Sequence, residues 1–238
     1  MTTPDWLERT SLLMGPDKME RFRRAHVLVV GTGGVGAYAA EMLVRAGIGR
    51  LTLLDADRVQ PSNINRQLCA LHSTVGEEKV RVLGLRFKDI NPELDLTVRA
   101  EFLEDHSAGA LLDSAKFDFI VDAIDTIAPK CALIEEAMKR RIRIVSSMGA
   151  GAKTDITQIR FADLWETFHC GLSKAVRTRL KRDGMHRPLP VVFCAQQADP
   201  AALVQVEGER NKKTTTGTVS YMPAVFGCYL AQYVISRL

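Results

Sequence analysis

A glycine-rich turn between a predicted strand and a predicted helix is the feature that most limits how this chain can fold. The apolar run His26–Val30 ends at Gly31, and further glycines follow at Gly33, Gly34 and Gly36. Glycines 31, 33 and 36 match the pattern G-x-G-x-x-G. In that pattern the glycines allow a tight turn, close approach of a phosphate and close helix–strand packing. The free amides of such a helix N-terminus bind phosphate. The turn therefore predicts a nucleotide-binding unit, and we expect these four glycines to belong to it.

Apolar strand patterns alternate with helical patterns along residues 1–150. Strands are predicted at 26–30, 51–54, 94–100, 117–121 and 142–145. Helices are predicted at 34–46, 75–90 and 128–141. Right-handed crossovers join strands that alternate with helices, and the result is a mostly parallel sheet with helices on both faces. The sequence predicts a Rossmann-like α/β core over residues 1–150.

Residues 151–238 follow a different rhythm. Strand patterns occur at 157–161 and 191–193, and helical patterns at 173–182 and 221–235. We interpret this part as an extension of antiparallel strands and helices that packs on the same sheet. The whole chain is then one domain.

Composition excludes several classes of protein. Of the 238 residues, 46% are hydrophobic and 25% are charged, as in globular proteins. The five cysteines form no C-x-x-C pair, so neither a disulfide framework nor a four-cysteine zinc site is expected. No secretory signal is evident at the N-terminus. The uncharged run 214–236 contains Pro223, and its helical part is too short to cross a membrane. We expect a cytoplasmic protein with no membrane attachment.

Charged residues after the turn favour a triphosphate over a redox dinucleotide. Asp55 ends the second predicted strand, where an acid accepts hydrogen bonds from ribose hydroxyls. Arg66 suits bidentate binding of phosphate oxygens, and Lys79 supplies a point charge. Asp125 follows a later strand, and Mg²⁺ commonly binds one or two carboxylates together with phosphates. The alternatives are a surface pair for Arg66 and Lys79 and a helix N-cap for Asp125.

Five motifs in order resemble the ThiF/MoeB/HesA adenylyltransferases, the bacterial relatives of ubiquitin-activating enzymes. They are Gly31-Thr-Gly-Gly-Val-Gly36, Asp55-x-Asp57, Ser62-Asn-x-x-Arg-Gln67, Val75-Gly-x-x-Lys79 and Asp122-x-x-Asp125. The resemblance covers residues 5–150. It implies that a substrate carboxylate attacks the α-phosphate of ATP, which gives an acyl-adenylate and pyrophosphate.

The same resemblance implies a role for each matching residue. Asp55 of the Asp55-x-Asp57 pair binds the ribose, and Asp125 holds Mg²⁺. The phosphates are contacted by Asn63, Arg66 and Lys79, and Asp57 also belongs to the ATP-binding set. The residues with an implied catalytic role are Arg66, Lys79, Asp125 and Arg9. Arg9 matches an arginine that reaches into the partner's ATP site in homodimers of the family, so a homodimer is expected.

The branch of the family follows from what the chain lacks and what it shares. Members that activate sulfur-carrier proteins have two C-x-x-C pairs, and many have an acceptor cysteine near the position of Cys170. This chain has no such pairs. It shares with another branch Asp122-Ala-Ile-Asp125-Thr-Ile-Ala-Pro-Lys130, Gly149-Ala-Gly151-Ala-Lys-x-Asp155-x-Thr157-Gln-Ile159, the basic segment 174–182 and a C-terminal helix after Gly217-Thr218. Over its whole length the chain is therefore similar to the branch that dehydrates threonylcarbamoyladenosine on tRNA. That similarity implies adenylation of the threonyl carboxylate, followed by ring closure within the same group and loss of AMP. Neither zinc nor an acceptor cysteine is needed.

Two other functions stay open at this point. One is an adenylyltransferase for the C-terminal Gly-Gly of a ubiquitin-like sulfur carrier, with a sulfur-transfer partner and Cys170 as acceptor. The other is a non-catalytic or redox nucleotide-binding module.

A basic segment in the last third of the chain offers a physical basis for binding a tRNA substrate. The net charge of +4 comes from this part of the sequence. Its clustered basic residues are Lys174, Arg177, Arg179, Lys181, Arg182 and Arg187. Such a cluster binds nucleic-acid phosphates, and the alternative is a solvated helix face.

Overall fold

Seven strands form one sheet in the computed structural model, which describes residues 4–205 and 214–238. They are β1 (His26–Val30), β2 (Arg50–Leu54), β3 (Asp95–Arg99), β4 (Phe119–Asp122), β5 (Arg143–Ser147), β6 (Ile159–Asp163) and β7 (Pro190–Cys194). Their order across the sheet is β3-β2-β1-β4-β5-β7-β6, and every pair is parallel except β6–β7. The predicted mostly parallel α/β sheet is confirmed.

Eight α-helices accompany the sheet within the same described ranges. They are α1 (Glu8–Met14), α2 (Pro16–Arg24), α3 (Gly36–Arg45), α4 (Lys79–Ile90), α5 (Ala108–Asp113), α6 (Ile127–Lys139), α7 (Gly171–Arg182) and α8 (Tyr221–Ile235). The sequence patterns do not predict α1, α2 or α5. A short ribbon of β8 (Leu203–Gln205) and β9 (Thr214–Thr216) lies outside the main sheet.

The helices cover both faces of the sheet because the side chains of the central strands alternate. In β1, Val27 and Val29 belong to one core cluster, and Leu28 and Val30 belong to the other. The first cluster contains buried residues of α2, α3, α4 and α8. The second contains buried residues of α5, α6 and α7. Strands buried on both faces read as continuous apolar runs, which is why the sequence pattern locates them well.

Residues beyond 150 complete the sheet. Strand β7 pairs in parallel with β5 through Ser146 and Val191, and β6 pairs antiparallel with β7 at the edge. Helix α8 packs on the face that carries α3, where Phe226 and Leu230 are fully buried. The boundary at residue 150 stays a prediction. Among the described residues, no helix is both long and apolar enough to cross a membrane.

Helix α4 begins later than the sequence pattern predicts. The pattern predicts a helix from residue 75, whereas α4 begins at Lys79. Gly76 has a φ of +90°, and Glu78 forms a β-bridge with Arg58. The left-handed conformation of Gly76 and the bridge at Glu78 are not helical, so the helix begins only after them, with Lys79 in its first turn.

Candidate active site

An open cavity of about 540 Å³ lies where the carboxyl ends of β1, β2 and β4 meet. Strand order reverses between β1 and β4, and ligands of open α/β sheets bind in the crevice outside such a point. The structure brings nine predicted site residues into the lining of this cavity: Gly31, Gly33, Gly34, Asp55, Asp57, Asn63, Arg66, Lys79 and Asp125.

The glycine turn is shaped by close contact with the loop after β4. Gly31 has a φ of +84°, and a Cβ there would lie 2.7 Å from the carbonyl oxygen of Ala123. A Cβ on Gly36 would overlap the carbonyl oxygen of Gly31, so Gly36 is needed for packing. Gly36 lies beneath the turn and outside the cavity lining, whereas Gly33 and Gly34 face the cavity.

Asp55 connects the glycine turn to the end of β2. Its Oδ2 accepts hydrogen bonds from the backbone N–H of Thr32 at 2.6 Å and from the Thr32 hydroxyl at 3.0 Å. Its Oδ1 accepts the N–H of Asp57 at 2.8 Å. Each carboxylate oxygen accepts more than one hydrogen bond, so Asp55 is able to hold the turn and bind a ribose at once. Thr32 is not among the site residues predicted from the sequence.

Lys79 and Asp57 form an ion pair at the wall of the cavity. The Lys79 Nζ lies 2.6 Å from Oδ2 of Asp57. The Lys79 side chain is 5% exposed and that of Asp57 is 69% exposed. The alternative of a surface pair is therefore wrong for the lysine, which is buried and held in place. Asp57, which the Asp55-x-Asp57 motif identifies as a site residue, orients the Lys79 ammonium group through this ion pair.

The turn at residues 61–67 presents polar side chains to the same cavity. The Asn63 Oδ1 accepts the N–H of Gln60 at 3.0 Å. An Nη1 of Arg66 donates to the carbonyl of Ser62 and to Oδ1 of Asn65 at 2.9 and 2.8 Å. These contacts fix Arg66 at the cavity, as a phosphate-binding residue requires.

Gln67 is a lining residue that the sequence reasoning missed. It is 9% exposed, and its buried Oε1 has no hydrogen-bond partner within the described part of the chain. A buried polar atom without a partner is costly, so this amide is suited to a ligand in the cavity. Its place beside Arg66 in the Ser62–Gln67 motif is the signal that could have found it.

Asp125 is exposed on the loop after β4 and lines the cavity. Within residues 4–205 and 214–238, no group of three or more histidine, cysteine or acidic side chains is placed to hold a metal ion. A single carboxylate at a phosphate-binding turn fits Mg²⁺, which usually keeps waters and substrate phosphates as its other ligands. The donor set does not fit a structural zinc, which needs four protein ligands.

The chain matches the family model described as ThiF family over residues 7–238. It belongs to the ThiF family. The tRNA threonylcarbamoyladenosine dehydratase of Bacillus subtilis is 36% identical over 97% of this chain and 93% of its own length. The crystal structure of the Escherichia coli enzyme of that name, TcdA, in complex with ATP, superposes with a TM-score of 0.89. Identity to it is 33%, over 100% of this chain and 96% of that one. The molybdopterin-synthase adenylyltransferase of Escherichia coli is 32% identical over 65% of this chain and 61% of its own length.

Two residues expected from the ThiF family resemblance lie outside the cavity. Arg9 is exposed on α1, so its role in a partner's site stays a prediction. Cys170 is half-buried at the start of α7, where its Sγ accepts the N–H of Ser173 at 3.5 Å. The neighbouring His169 is bonded through Nδ1 to the carbonyl of Ala195 at 3.0 Å. The structure therefore shows no cysteine–histidine pair at Cys170.

The other cysteines divide between core and surface. Burial raises the pKa of the Cys131 thiol to about 12 and also raises the pKa of Cys69. Both are buried, as is Cys194. The apolar residues around Cys228 in the sequence predict a core position, and this prediction is wrong because Cys228 is exposed on α8.

The basic segment is only partly available to a ligand. Arg177 donates to the carbonyl oxygens of Leu164 and Thr167, and Arg187 donates to that of Met138. These two arginines therefore stabilise the fold. Basic residues on one side of α7 line a separate cleft of about 390 Å³; they are Lys174, Arg179 and Arg182.

Proposed function

We propose that this protein is an Mg-ATP-dependent enzyme that adenylates the threonylcarbamoyl carboxylate on tRNA adenosine and then closes it into a ring. The observation that carries the proposal is the cavity at the strand-order reversal, with its phosphate turn, ribose acid and fixed cations. The match to dehydratases over nearly the whole chain supports the same substrate.

The first step joins a carboxylate oxygen of the substrate to the α-phosphorus of ATP and releases pyrophosphate. The amides of Gly33 and Gly34 face the phosphates, and Asp55 accepts hydrogen bonds from the ribose hydroxyls. Lys79 and Arg66 stabilise the charge that develops on the phosphates as the bond to pyrophosphate breaks. Asp125 would hold Mg²⁺, which neutralises phosphate charge when bound.

The second step closes the ring. A nitrogen or oxygen of the same side group attacks the activated carbonyl carbon and releases its proton to solvent, and AMP leaves with the former carboxylate oxygen. The net change in the nucleoside is the loss of one water. No covalent enzyme intermediate is required, which agrees with the position of Cys170 outside the cavity.

The proposed assembly follows the sequence predictions. Residues 1–150 form the adenylation core and 151–238 an extension on the same sheet, which supplies Gly151, Thr218 and Pro223 to the lining of the cavity. We propose a homodimer in which Arg9 reaches the partner's nucleotide. A tRNA substrate supports the proposal of a cytoplasmic enzyme.

The test is pyrophosphate release from ATP with three substrates. Release with tRNA that carries threonylcarbamoyladenosine, and loss of one water from that nucleoside by mass spectrometry, supports the proposal. The same tRNA without the modification is the control. Release only with a ubiquitin-like carrier protein would establish the alternative function, which is adenylation of the C-terminal Gly-Gly of a sulfur carrier. In that case a sulfur-transfer partner protein would act on the adenylated carrier.

Replacing Cys170 with alanine is expected to leave the dehydration rate within about twofold of wild type, since ring closure needs no thiol and Sγ makes one weak bond. Initial rates with modified tRNA measure this. Complete loss of activity, together with a thioester trapped on the wild-type protein, would refute the ring-closure mechanism in favour of the carrier-protein reaction.

Replacing Lys174, Lys181 and Arg182 with alanine is expected to weaken tRNA binding while AMP affinity is unchanged, because these exposed side chains lie outside the cavity. The slope of log affinity against log salt should fall by roughly 0.7–0.9 for each lost phosphate contact. Titrations at several salt concentrations measure both. The charge-matched control replaces Arg21, Arg23 and Arg24 on α2. Equal losses in both variants would show that net charge, and not α7, binds the tRNA.

A further inference from the structure

A fully buried ion pair lies next to the loop that carries Asp125. The Nζ of Lys130 on α6 lies 2.8 Å from Oδ2 of Asp122 at the end of β4, and both side chains are 0% exposed. A buried ion pair seldom stabilises a fold more than two packed apolar side chains would. Stability alone therefore does not account for the charges.

Both charged side chains also bind the backbone of one residue, Ile124. Its N–H donates to Oδ1 of Asp122 at 3.1 Å, and its carbonyl oxygen accepts from Nζ of Lys130 at 2.9 Å. The Ser146 hydroxyl on β5 donates to Oδ2 of Asp122 at 2.6 Å and orients the carboxylate. Two apolar side chains could make none of these bonds. The peptide groups on both sides of Ile124 are fixed, and the next residue is Asp125.

We propose that Asp122 and Lys130 are positioning residues, which fix the 123–126 loop and so direct the Asp125 carboxylate into the cavity before nucleotide binds. A site residue on a loop needs such support, since a small displacement of a ligand group lowers affinity and rate. The consequence for Mg²⁺ and ATP rests on the proposed function. The fixing of the loop does not, and it is measurable in the protein alone.

The decisive variant is Asp122→Asn combined with Lys130→Met. It removes both charges together, so no unpaired charge is left in the core and the fold is retained. Hydrogen exchange of the amides at residues 123–126 is expected to be about tenfold faster than in wild type. Tenfold is the factor for the loss of one hydrogen bond to a charged group. The Mg²⁺ concentration for half-maximal pyrophosphate release should rise by about the same factor, while AMP affinity is unchanged.

The matched control is Glu41→Gln. Glu41 on α3 is another buried acid; it pairs with Arg45 and Arg86 and does not line the cavity. This variant is expected to lower stability and leave both the exchange at 123–126 and the Mg²⁺ requirement at wild-type values. A double variant with wild-type exchange and Mg²⁺ requirement would overturn the proposal, and so would a control that changes both.

A milder variant tests the same proposal if the double variant does not fold. Ser146→Ala deletes one hydroxyl and leaves both charges, so exchange at residue 124 should still rise, by a smaller factor. Wild-type exchange there would overturn the proposal. A wild-type protein that releases no pyrophosphate would refute the proposed function, and the exchange measurements would still decide whether the pair fixes the loop.

Discussion

Replacing Asp125 with asparagine is expected to lower the rate of pyrophosphate release by about 100- to 1,000-fold, while the protein stays folded. The reason is that a metal ion supplies several kcal/mol of charge stabilisation to such a transition state, and each 1.36 kcal/mol is about tenfold in rate. Asp125 is exposed on a loop, so no core packing is lost. Initial rates at saturating ATP over a range of Mg²⁺ concentrations measure the effect.

The control for this prediction is Asp89→Asn, which neutralises an exposed acid on α4 outside the cavity. It is expected to keep the wild-type rate and Mg²⁺ requirement. A wild-type rate in the Asp125 variant at every Mg²⁺ concentration would disprove the role of Asp125 as metal ligand. The proposed phosphate-binding roles of Arg66 and Lys79 would not be affected by that result.

Replacing Lys130 alone with methionine is expected to lower the free energy of unfolding by about 3–5 kcal/mol, because the Asp122 carboxylate is then left buried without its cation. Urea denaturation at neutral pH measures this loss. The matched control is Lys139→Met on the same helix, where the lysine is 59% exposed and pairs with Glu136. That change is expected to cost no more than about 1 kcal/mol. Similar losses for the two variants would show that the burial of Lys130 has no energetic consequence.

The glycine turn and the central strands could be predicted from the sequence because their causes are local. Four consecutive apolar residues after His26 form a strand that is buried on both faces, and the glycines follow at fixed spacing. The acids and cations that line the cavity were predicted for a related reason. The acids Asp55, Asp57 and Asp125 come soon after strands, and the carboxyl ends of parallel strands meet at one edge of the sheet. The cations Arg66 and Lys79 follow β2 in the segment that leads into α4.

Other residues could not be assigned in this way because their environment is set by distant parts of the chain. Arg177 and Arg187 look like the other basic residues of their segment, yet both bond to backbone carbonyl oxygens. The partners of Arg177 lie 13 and 10 residues earlier in the chain, and the partner of Arg187 lies 49 residues earlier. Helix α1 has no run of buried residues, and so no periodic pattern predicts it. Gln67 is identified as a candidate ligand-binding residue only by the tertiary structure, in which its amide oxygen is buried at the cavity without a hydrogen-bond partner among the described residues.

The sequence by itself determined the fold class, the glycine turn and the chemical types gathered at the cavity, since these depend on residue spacing along the chain. Only the tertiary structure decided which side chains are buried and what they bind there. It paired Lys79 with Asp57, kept Cys170 out of the cavity and enclosed Lys130 with Asp122. The physical reason is that burial and charge pairing arise when segments far apart in sequence pack together, and no local pattern records which segments will meet.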